Sequence, residues 1–288
     1  MVIPVCNPDD RIYSIIKRME RQSLKPVRIS IVLTVTERFS KEQLLEGFRN
    51  NDIDFTCIRV KDIEKNMFNH GGTRQDAAEE SDADYCLFMT QDAMPADKNL
   101  LYNMSEELND EETAVCYARQ LPYKNAKLRE KFARNFNYPP EPMIKDRSML
   151  DAGKIKAIFC SDVCAMYNME IFRKLGGFER KVDFNEDMLY AHKALKNGYK
   201  ISYCAGAMVY HSHNFTLKEQ FRRNREIARS QKSHPEVFDG LSSESEGISY
   251  LKSGIKYILK RGRVLEVIVF IADCGFRFIG YRIGKLFK

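Results

Sequence analysis

The stretch Tyr85-Cys86-Leu87-Phe88-Met89, which runs directly into Thr90-Gln91-Asp92, decides the fold class. A short apolar run that stops at polar residues is typical of a buried β-strand ending at the edge of a sheet. In an open α/β sheet, ligands bind in the crevice beyond the carboxyl ends of the strands. The sequence therefore predicts a ligand site at Asp92, where the later Glu186-Asp187 and His211-Ser212-His213 would add an acid and imidazoles for metal-assisted chemistry.

Strand-like and helix-like segments alternate around this stretch. Strands are predicted at residues 2–5, 27–36, 54–60, 84–90, 114–118, 200–204 and 207–210, and helices at 11–22, 41–50, 73–81, 169–175 and 186–197. Residues 120–158 have no clear periodicity and are expected to form a functional loop. The alternation favours parallel strands joined by right-handed crossovers, hence an α/β fold with a mostly parallel sheet flanked by helices.

Composition and length indicate one large globular domain with an appendage. The chain has 288 residues, of which 44% are hydrophobic, so it can bury a substantial core. Its eight cysteines show no paired spacing and are expected to be reduced, and the N-terminus lacks the pattern of a secretory signal. These features favour the cytosol. The main domain is expected to span residues 1–235, and residues 236–288 form a separate C-terminal segment.

The C-terminal segment is strongly basic. Residues 251–288 contain nine basic residues against Glu266 and Asp273, a net charge of +7, which leaves −1 for the rest of a chain whose formal charge is +6. Because residues 264–270 and 276–281 are apolar, the segment suits an anionic membrane surface. Glu266, Asp273 and Arg277 disfavour a spanning helix. The alternative is a pair of helices packed on the main domain, and nucleic acid is disfavoured because exposed stacking aromatics are missing.

Seven segments resemble, in order, a known family. They are Val2-Ile3-Pro4-Val5-Cys6-Asn7, Phe68-Asn69-His70-Gly71-Gly72-Thr73-Arg74, Phe88-Met89-Thr90-Gln91-Asp92-Ala93-Met94-Pro95, Phe132-Ala133-Arg134-Asn135-Phe136-Asn137-Tyr138-Pro139, Leu175-Gly176-Gly177-Phe178, Asn185-Glu186-Asp187-Met188-Leu189 and Val209-Tyr210-His211-Ser212-His213-Asn214. The ordered set resembles the inverting glycosyltransferase family 2, which has the Rossmann-like GT-A fold. Within that family it is similar to the bacterial rhamnosyltransferases that build surface polysaccharides.

The resemblance implies a divalent metal site for Mg²⁺ or Mn²⁺. Asp92 stands at the position of the family's metal-binding carboxylate, although Thr90 and Gln91 replace its acidic neighbours. A single carboxylate neutralises little of the cation's charge, so an imidazole and the donor phosphates would supply the remaining ligands. His211 is the first choice for that imidazole and His213 the second, and at least one of them is expected to be structural.

The resemblance also implies that Asp187 is the catalytic base, which takes the proton of the acceptor hydroxyl. Glu186 is expected to organise the site, because adjacent helical positions point in different directions and only one can face the sugar. The alternative is that Glu186-Asp187 is only an acidic first helical turn, which the helix dipole would favour.

The resemblance further implies which residues bind the nucleotide-sugar donor and the acceptor. Thr34 stands where the family usually has an aspartate that contacts the base. The donor-side residues are Pro4, Asn7, Thr34, Arg74, Gln91 and Asp92. Asn137 and Tyr138 are expected on the acceptor side, although the same segment also fits a hydrophobic plug stiffened by proline.

The resemblance implies an inverting, metal-dependent transfer of a deoxyhexose, L-rhamnose from dTDP-L-rhamnose, to a sugar hydroxyl of a lipid-linked surface polysaccharide, and the predicted metal site and base are consistent with this chemistry. The enzyme would lie on the inner face of the cytoplasmic membrane. One alternative is the same fold acting on another nucleotide sugar, such as a UDP-hexose. The other is a catalytically silent glycan-binding subunit, which the reduced acidic motif at Asp92 keeps open.

Overall fold

The computed structural model describes residues 1–54, 56–242 and 244–286, and a nine-stranded β-sheet forms its centre. The strands are β1 (Val2–Cys6), β2 (Ile29–Val35), β3 (Ile58–Glu64), β4 (Tyr85–Met89), β5 (Met94–Pro95), β6 (Thr113–Leu121), β7 (Met143–Lys145), β8 (Cys164–Asn168) and β9 (Lys200–Tyr210). Their spatial order is β3-β2-β1-β4-β8-β6-β9-β5, and β7 pairs with β9.

Thirteen α-helices are described around the sheet. They are α1 (Arg11–Glu20), α2 (Lys41–Asn50), α3 (His70–Glu79), α4 (Leu100–Glu107), α5 (Leu128–Asn137), α6 (Arg147–Asp151), α7 (Ile155–Ile158), α8 (Met169–Lys174), α9 (Glu186–Lys196), α10 (Leu217–Lys232), α11 (Pro235–Phe238), α12 (Glu244–Leu259) and α13 (Val264–Leu286). A 3₁₀ turn covers Lys65–Met67.

The first half of the sheet is parallel and the second half is mixed. Strands β3, β2, β1 and β4 run parallel, so their carboxyl ends lie along one edge. Strand β8 is antiparallel to both β4 and β6, and β9 runs parallel to β6. The predicted α/β architecture is confirmed. The antiparallel strand β8 inserts between β4 and β6 and places the end of β9 beside the carboxyl edge of the parallel half.

Two apolar clusters cover the two faces of the sheet. On β4, Cys86 and Phe88 face one cluster, whereas Leu87 and Met89 face the other. This alternation follows from the period of two along a strand. Burial on both faces explains the continuous apolar run of β4, and it fixes the point at which the chain leaves the sheet, just before Asp92.

Some segments differ from their predicted bounds. Helix α3 begins at His70, earlier than predicted, because the side chain of Asn69 accepts the Gly72 N–H at 2.7 Å and so caps the helix. Strand β3 begins four residues later than expected, and Phe55 of the predicted 54–60 strand lies outside the described residues. The predicted loop at 120–158 contains α5, β7, α6 and α7. The two short strands predicted near the end of the sheet are one strand, β9, with a register shift opposite Ala118 and Arg119.

The C-terminal helix α13 packs firmly on α10, a helix that was not predicted. A Cβ at Gly280 would overlap the carbonyl oxygen of Phe221, and one at Gly284 would overlap that of Arg225, so the two backbones lie in close contact. Asp273 is fully buried and pairs with Arg277 at 2.7 Å and with Arg129 of α5 at 3.4 Å. The C-terminal helices are therefore packed on the main domain, as in the alternative that the sequence analysis named. Ser243, Phe287 and Lys288, the last of which contributes to the basic charge, lie outside the described residues.

Within the described ranges, the helices are each too short or too polar to cross a bilayer. All eight cysteines are free thiols, and five of them are buried.

Candidate functional site

Asp92 and two histidines converge at the carboxyl edge of the sheet. Asp92 follows β4, and β5 then pairs with the end of β9 so that Met94 lies opposite Tyr210. This pairing places His211 and His213 against Asp92, with their Nε2 atoms 3.6 and 3.3 Å from its carboxylate oxygens. One ligand atom from each residue fits within a 4.8 Å span. The structure thus brings the three predicted metal ligands together, and both histidines, not one, face Asp92.

The imidazole of His211 is held in a form that suits metal binding. Its Nδ1 lies 2.8 Å from the Oε1 atom of Gln120, a residue of β6 that is itself buried. Because an amide oxygen only accepts, Nδ1 carries the proton and Nε2 presents a lone pair towards Asp92. Burial, followed by the charges of nearby arginines, lowers the pKa of His211 well below its ordinary value. A neutral imidazole is the form that binds a divalent cation.

His213 is the third member of the group formed with Asp92 and His211. Its Nε2 lies 3.0 Å from that of His211, and its ring stacks on Phe215 with centroids 4.9 Å apart. Its backbone N–H donates to Glu130 Oε1 at 3.3 Å, which ties the segment to α5. Burial also lowers the pKa of His213. Two neutral imidazoles and one carboxylate form a nitrogen and oxygen ligand set that fits a divalent metal ion.

Asp187 lies in the first turn of α9 as a half-buried carboxylate. Its Oδ1 accepts the N–H of Met188 at 2.8 Å, and its Oδ2 accepts the N–H of Asp162 at 3.1 Å. Asn185, the residue before the helix, adopts a left-handed conformation with φ of 68° that turns the chain into this position. Burial, followed by the neighbouring Glu186 charge, raises the pKa of Asp187 to about 7. Such a group is poised to take a proton near neutral pH.

Arg74 lies beneath Asp187, not on the nucleotide side where it was expected. Its guanidinium is 3% exposed and lies 3.1 Å from Glu186 and 3.4 Å from Asp162. Tyr167 donates a hydrogen bond to the other oxygen of Asp162 at 2.7 Å. Helix α3 begins early enough to carry Arg74 under the sheet edge, where it compensates two buried carboxylates. Arg74 and Glu186 therefore support the site and do not line the crevice.

A hydrogen-bonded chain connects the two halves of the site. Gln120 Nε2 donates to the Tyr138 hydroxyl at 2.7 Å and lies 3.0 Å from Ser161 Oγ. Ser161 precedes Asp162, whose backbone N–H binds Asp187. Tyr138, predicted on the acceptor side, is thus a buried member of this chain, whereas Asn137 is exposed. Sequence analysis missed Gln120 and Asp162, although an acidic residue inside the apolar stretch 159–167 is a signal that could have identified Asp162.

The ends of β1, β2 and β4 form the part of the crevice that carries the predicted donor-side residues. The amide of Gln91 joins the ends of β1 and β4, because its Oε1 accepts the Cys6 N–H at 2.8 Å and its Nε2 donates to the Cys6 carbonyl at 3.0 Å. Asn7 follows with a φ of 43° and accepts a hydrogen bond from Thr36. Thr34 is 2% exposed and faces the interior, whereas Thr36, directly after β2, lies at the crevice beside Asn7. Pro4 lies farther back, in the middle of β1.

Arginines missed by the sequence analysis surround the group at Asp92. Arg223 of α10 lies over the rings of Phe184 and Phe215, at 5.9 and 5.8 Å from their centroids. Burial is the largest cause of the lowered pKa values of His211 and His213, and the charges of Arg223 and Arg134 lower both pKa values further. Arg11 pairs with Asp9 at 2.8 Å near the same crevice. The positive field suits a diphosphate, whose charge a single Asp92 would not repel strongly.

The chain matches one protein family and is similar in sequence to two named relatives. The family model described as glycosyl transferase family 2 matches residues 1–176. The chain is 33% identical over 293 residues to the O-antigen chain rhamnosyltransferase RfbN of Salmonella typhimurium, covering 99% of this chain and 88% of that protein. It is 36% identical over 227 residues to the O-antigen chain rhamnosyltransferase WbaN of Salmonella anatum, covering 77% and 71%.

Solved structures with little sequence identity share the fold. The mannosyltransferase PcManGT from Pyrobaculum calidifontis, in complex with GDP-Man and Mn²⁺, superposes with a TM-score of 0.64 at 11% identity, covering 99% of this chain and 86% of that one. TarS residues 1–349 of S. aureus, in complex with UDP-GlcNAc, gives 0.55 at 14% identity, covering 99% and 89%. The GT-A fold implied by the sequence resemblance is therefore confirmed.

Proposed function

Because this chain belongs to glycosyl transferase family 2 and is a glycosyltransferase, we propose that it transfers L-rhamnose from dTDP-L-rhamnose, with inversion, to a sugar hydroxyl of a growing O-antigen glycan. The names of the two Salmonella relatives support the sugar and the acceptor. The dTDP nucleotide and the inversion rest on the family resemblance, and the metal site and the base are supported by this chain's own residues.

The observation that carries the proposal is the link between the group at Asp92 and the carboxylate of Asp187. Asp92, His211 and His213 would hold a Mg²⁺ or Mn²⁺ ion, and Gln120 orients His211 for that role. The bound cation would supply charge neutralisation for the departing nucleotide diphosphate. Arg11 and Arg223 add positive charge on the same side, which would attract the donor diphosphate.

Asp187 would act as the base. As the acceptor oxygen bonds to the anomeric carbon, the bond from that carbon to the diphosphate oxygen breaks, and the acceptor proton passes to the Asp187 carboxylate. Attack from the face opposite the leaving group inverts the anomeric configuration. The N–H groups of Asp162 and Met188 fix the direction of the carboxylate, and Arg74 holds Glu186 and Asp162 in place beneath it.

The donor nucleotide would lie across the ends of β1, β2 and β4. Asn7, Thr36 and Gln91 present neutral amides and a hydroxyl there, which fits hydrogen bonding to a pyrimidine base and its ribose. Asn137 is exposed after α5 and would face the acceptor.

The acceptor would be lipid-linked and the enzyme peripheral on the inner face of the cytoplasmic membrane. Helix α13 exposes the apolar residues Val264, Leu265, Ile268, Ile271, Phe278 and Ile279. Basic residues on and before the helix flank this surface, among them Arg263 and Arg282. An apolar face with basic flanks fits an anionic bilayer surface.

The test is a transfer assay with purified protein, a panel of nucleotide sugars and an O-antigen acceptor, with Mn²⁺, Mg²⁺ or a chelator. We expect transfer from dTDP-L-rhamnose alone, metal dependence, and an inverted linkage by NMR. Asp187→Asn should lower kcat by about 10²–10⁴-fold while dTDP binding survives. Turnover only with a UDP-hexose would support the sibling enzyme, and no turnover with any donor would support the silent subunit.

A further inference from the structure

A groove of about 480 Å³ lies between α5 and α12, separate from the crevice at Asp92. Three residues of α12, Ser253, Lys256 and Tyr257, recur at helical spacing and so share one face, and Lys260 follows directly after the helix. Phe132, Asn135 and Phe136 of α5 form the opposite wall, and Arg261 closes the end. The groove thus has an aromatic wall and a basic rim.

Among the described residues, Lys256, Lys260 and Arg261 form no ion pair with a carboxylate, although Lys156 nearby pairs with Glu246 at 2.6 Å. Arg261 is held in place, because its guanidinium lies 3.5 Å from the ring centroid of Tyr257 and donates to the Tyr257 carbonyl at 3.0 Å. Three cations gathered at one groove would bind a phosphate group with charge-assisted hydrogen bonds.

Exposed apolar residues follow the basic residues of the groove in the sequence. Arg261 is followed within a few residues by Val264 and Leu265, which are 64% and 79% exposed, and Leu259 is 49% exposed. A ligand with a phosphate head and a hydrocarbon tail would therefore use both the basic groove and these apolar residues. A free phosphate would leave the apolar part unused.

Helix α5 connects the groove to the reaction centre. Its Phe132 and Phe136 face the groove, whereas Glu130 binds the His213 backbone and Arg134 binds Gln120. A molecule in the groove would thus contact one side of α5, and the other side of α5 holds the residues around His211.

From these relations we infer that the α5–α12 groove binds the lipid-attached diphosphate of the acceptor, so that its glycan end reaches Asp187. The inference rests on the proposed function for the nature of the acceptor. Lys256, Lys260 and Arg261 bind the diphosphate, and the aromatic wall with the exposed start of α13 covers the first part of the lipid.

The test measures binding of the full chain to neutral phosphatidylcholine vesicles containing either a long-chain polyprenyl diphosphate or phosphatidylglycerol at equal charge. We compare Lys256→Glu/Lys260→Glu with a control of equal charge change, Lys25→Glu/Lys98→Glu, at two exposed lysines outside the groove. The groove variant should weaken binding to polyprenyl diphosphate vesicles by at least roughly tenfold, and the control by less than about twofold. Binding to phosphatidylglycerol should fall less in the groove variant.

Equal loss for both variants, or equal loss on both vesicle types, would overturn the inference in favour of general attraction to anionic lipid. Transfer to a lipid-free acceptor should keep its kcat in the groove variant, whereas KM for the lipid-linked acceptor should rise by roughly tenfold. An unchanged KM for the lipid-linked acceptor would also overturn it. If no rhamnosyl transfer occurs with any acceptor, the proposed function fails. The vesicle comparison still tests whether the groove binds a polyprenyl diphosphate.

Discussion

Gln120 Oε1 lies 2.8 Å from His211 Nδ1 and thereby fixes which nitrogen of His211 faces Asp92. The other end of the same amide donates to Tyr138 and Ser161, so one buried side chain sets both the tautomer of His211, a proposed metal ligand, and the position of the segment that carries Asp162. Orientation of a ligating histidine by a hydrogen-bond acceptor is a general requirement of metal sites.

Replacing Gln120 with Leu should therefore lower Mn²⁺ affinity by about 10–100-fold, because His211 loses the acceptor that holds its Nδ1 proton. Isothermal titration calorimetry in the presence of dTDP measures this. Gln120→Glu keeps an acceptor oxygen beside Arg134 and should retain most of the affinity. Unchanged Mn²⁺ binding by Gln120→Leu would show that His211 is not a ligand.

The pH dependence of kcat/KM should report Asp187. A base works only when ionised, and burial raises the pKa of Asp187 to about 7, so the carboxylate gains a proton as the pH falls through that value. We expect kcat/KM to fall by about tenfold per pH unit below pH 7 and to level off above it. The slow residual turnover of Asp187→Asn should lack this limb, whereas Asp183→Asn, at an exposed carboxylate nearby, should keep it. An acid limb centred near pH 4 would contradict the assignment.

Arg74 should be required for stability more than for contact with the donor. Arg74→Met leaves Glu186 and Asp162 buried without their cation, which should cost about 3–5 kcal/mol of the free energy of unfolding. Urea denaturation measures the loss. Arg180→Met is the matched control, because Arg180 pairs with Asp76 and Glu79 at the exposed surface of the same helix and solvent screens those pairs. Equal stability of Arg74→Met and wild type would show that the buried pair is not needed.

The sequence was most informative where a motif coincides with the end of a strand. Asp92 could be placed because the apolar run of β4 ends just before it, and His211 because it follows β9. Asp187 could be placed because it begins a clear helix, α9. For Asp92 and His211 the local pattern indicates where the chain leaves the sheet, whereas their roles and that of Asp187 were inferred from the family resemblance.

The remaining features depend on contacts between distant residues. The burial of Arg74 follows from its partners Asp162 and Glu186, which are far apart in the sequence. Thr36, not Thr34, reaches the crevice because β2 ends beside Asn7. The periodicity of a sequence does not predict the end of a strand to within one or two residues. Helix α5 was missed because the prolines after it suggested a loop.

Membrane attachment should depend on the exposed face of α13. Truncation of α13 would uncover α10 and leave Arg129 without buried Asp273, so substitution is the cleaner test. Leu265→Ser/Ile268→Ser should weaken binding to anionic vesicles by about tenfold or more, because two apolar side chains no longer enter the bilayer surface. Val27→Ser/Met67→Ser removes equally exposed apolar residues elsewhere and should have little effect. Equal cosedimentation of all three proteins would contradict attachment through α13.

The most direct test of the central claim is the anomalous difference map of crystals grown with Mn²⁺ and dTDP. We expect one strong peak within roughly 2.5 Å of His211 Nε2 and of an Asp92 carboxylate oxygen, with the diphosphate of dTDP completing the coordination. A dTDP molecule bound at the ends of β1 and β2 with no manganese peak at Asp92, or with the peak at another site, would contradict it.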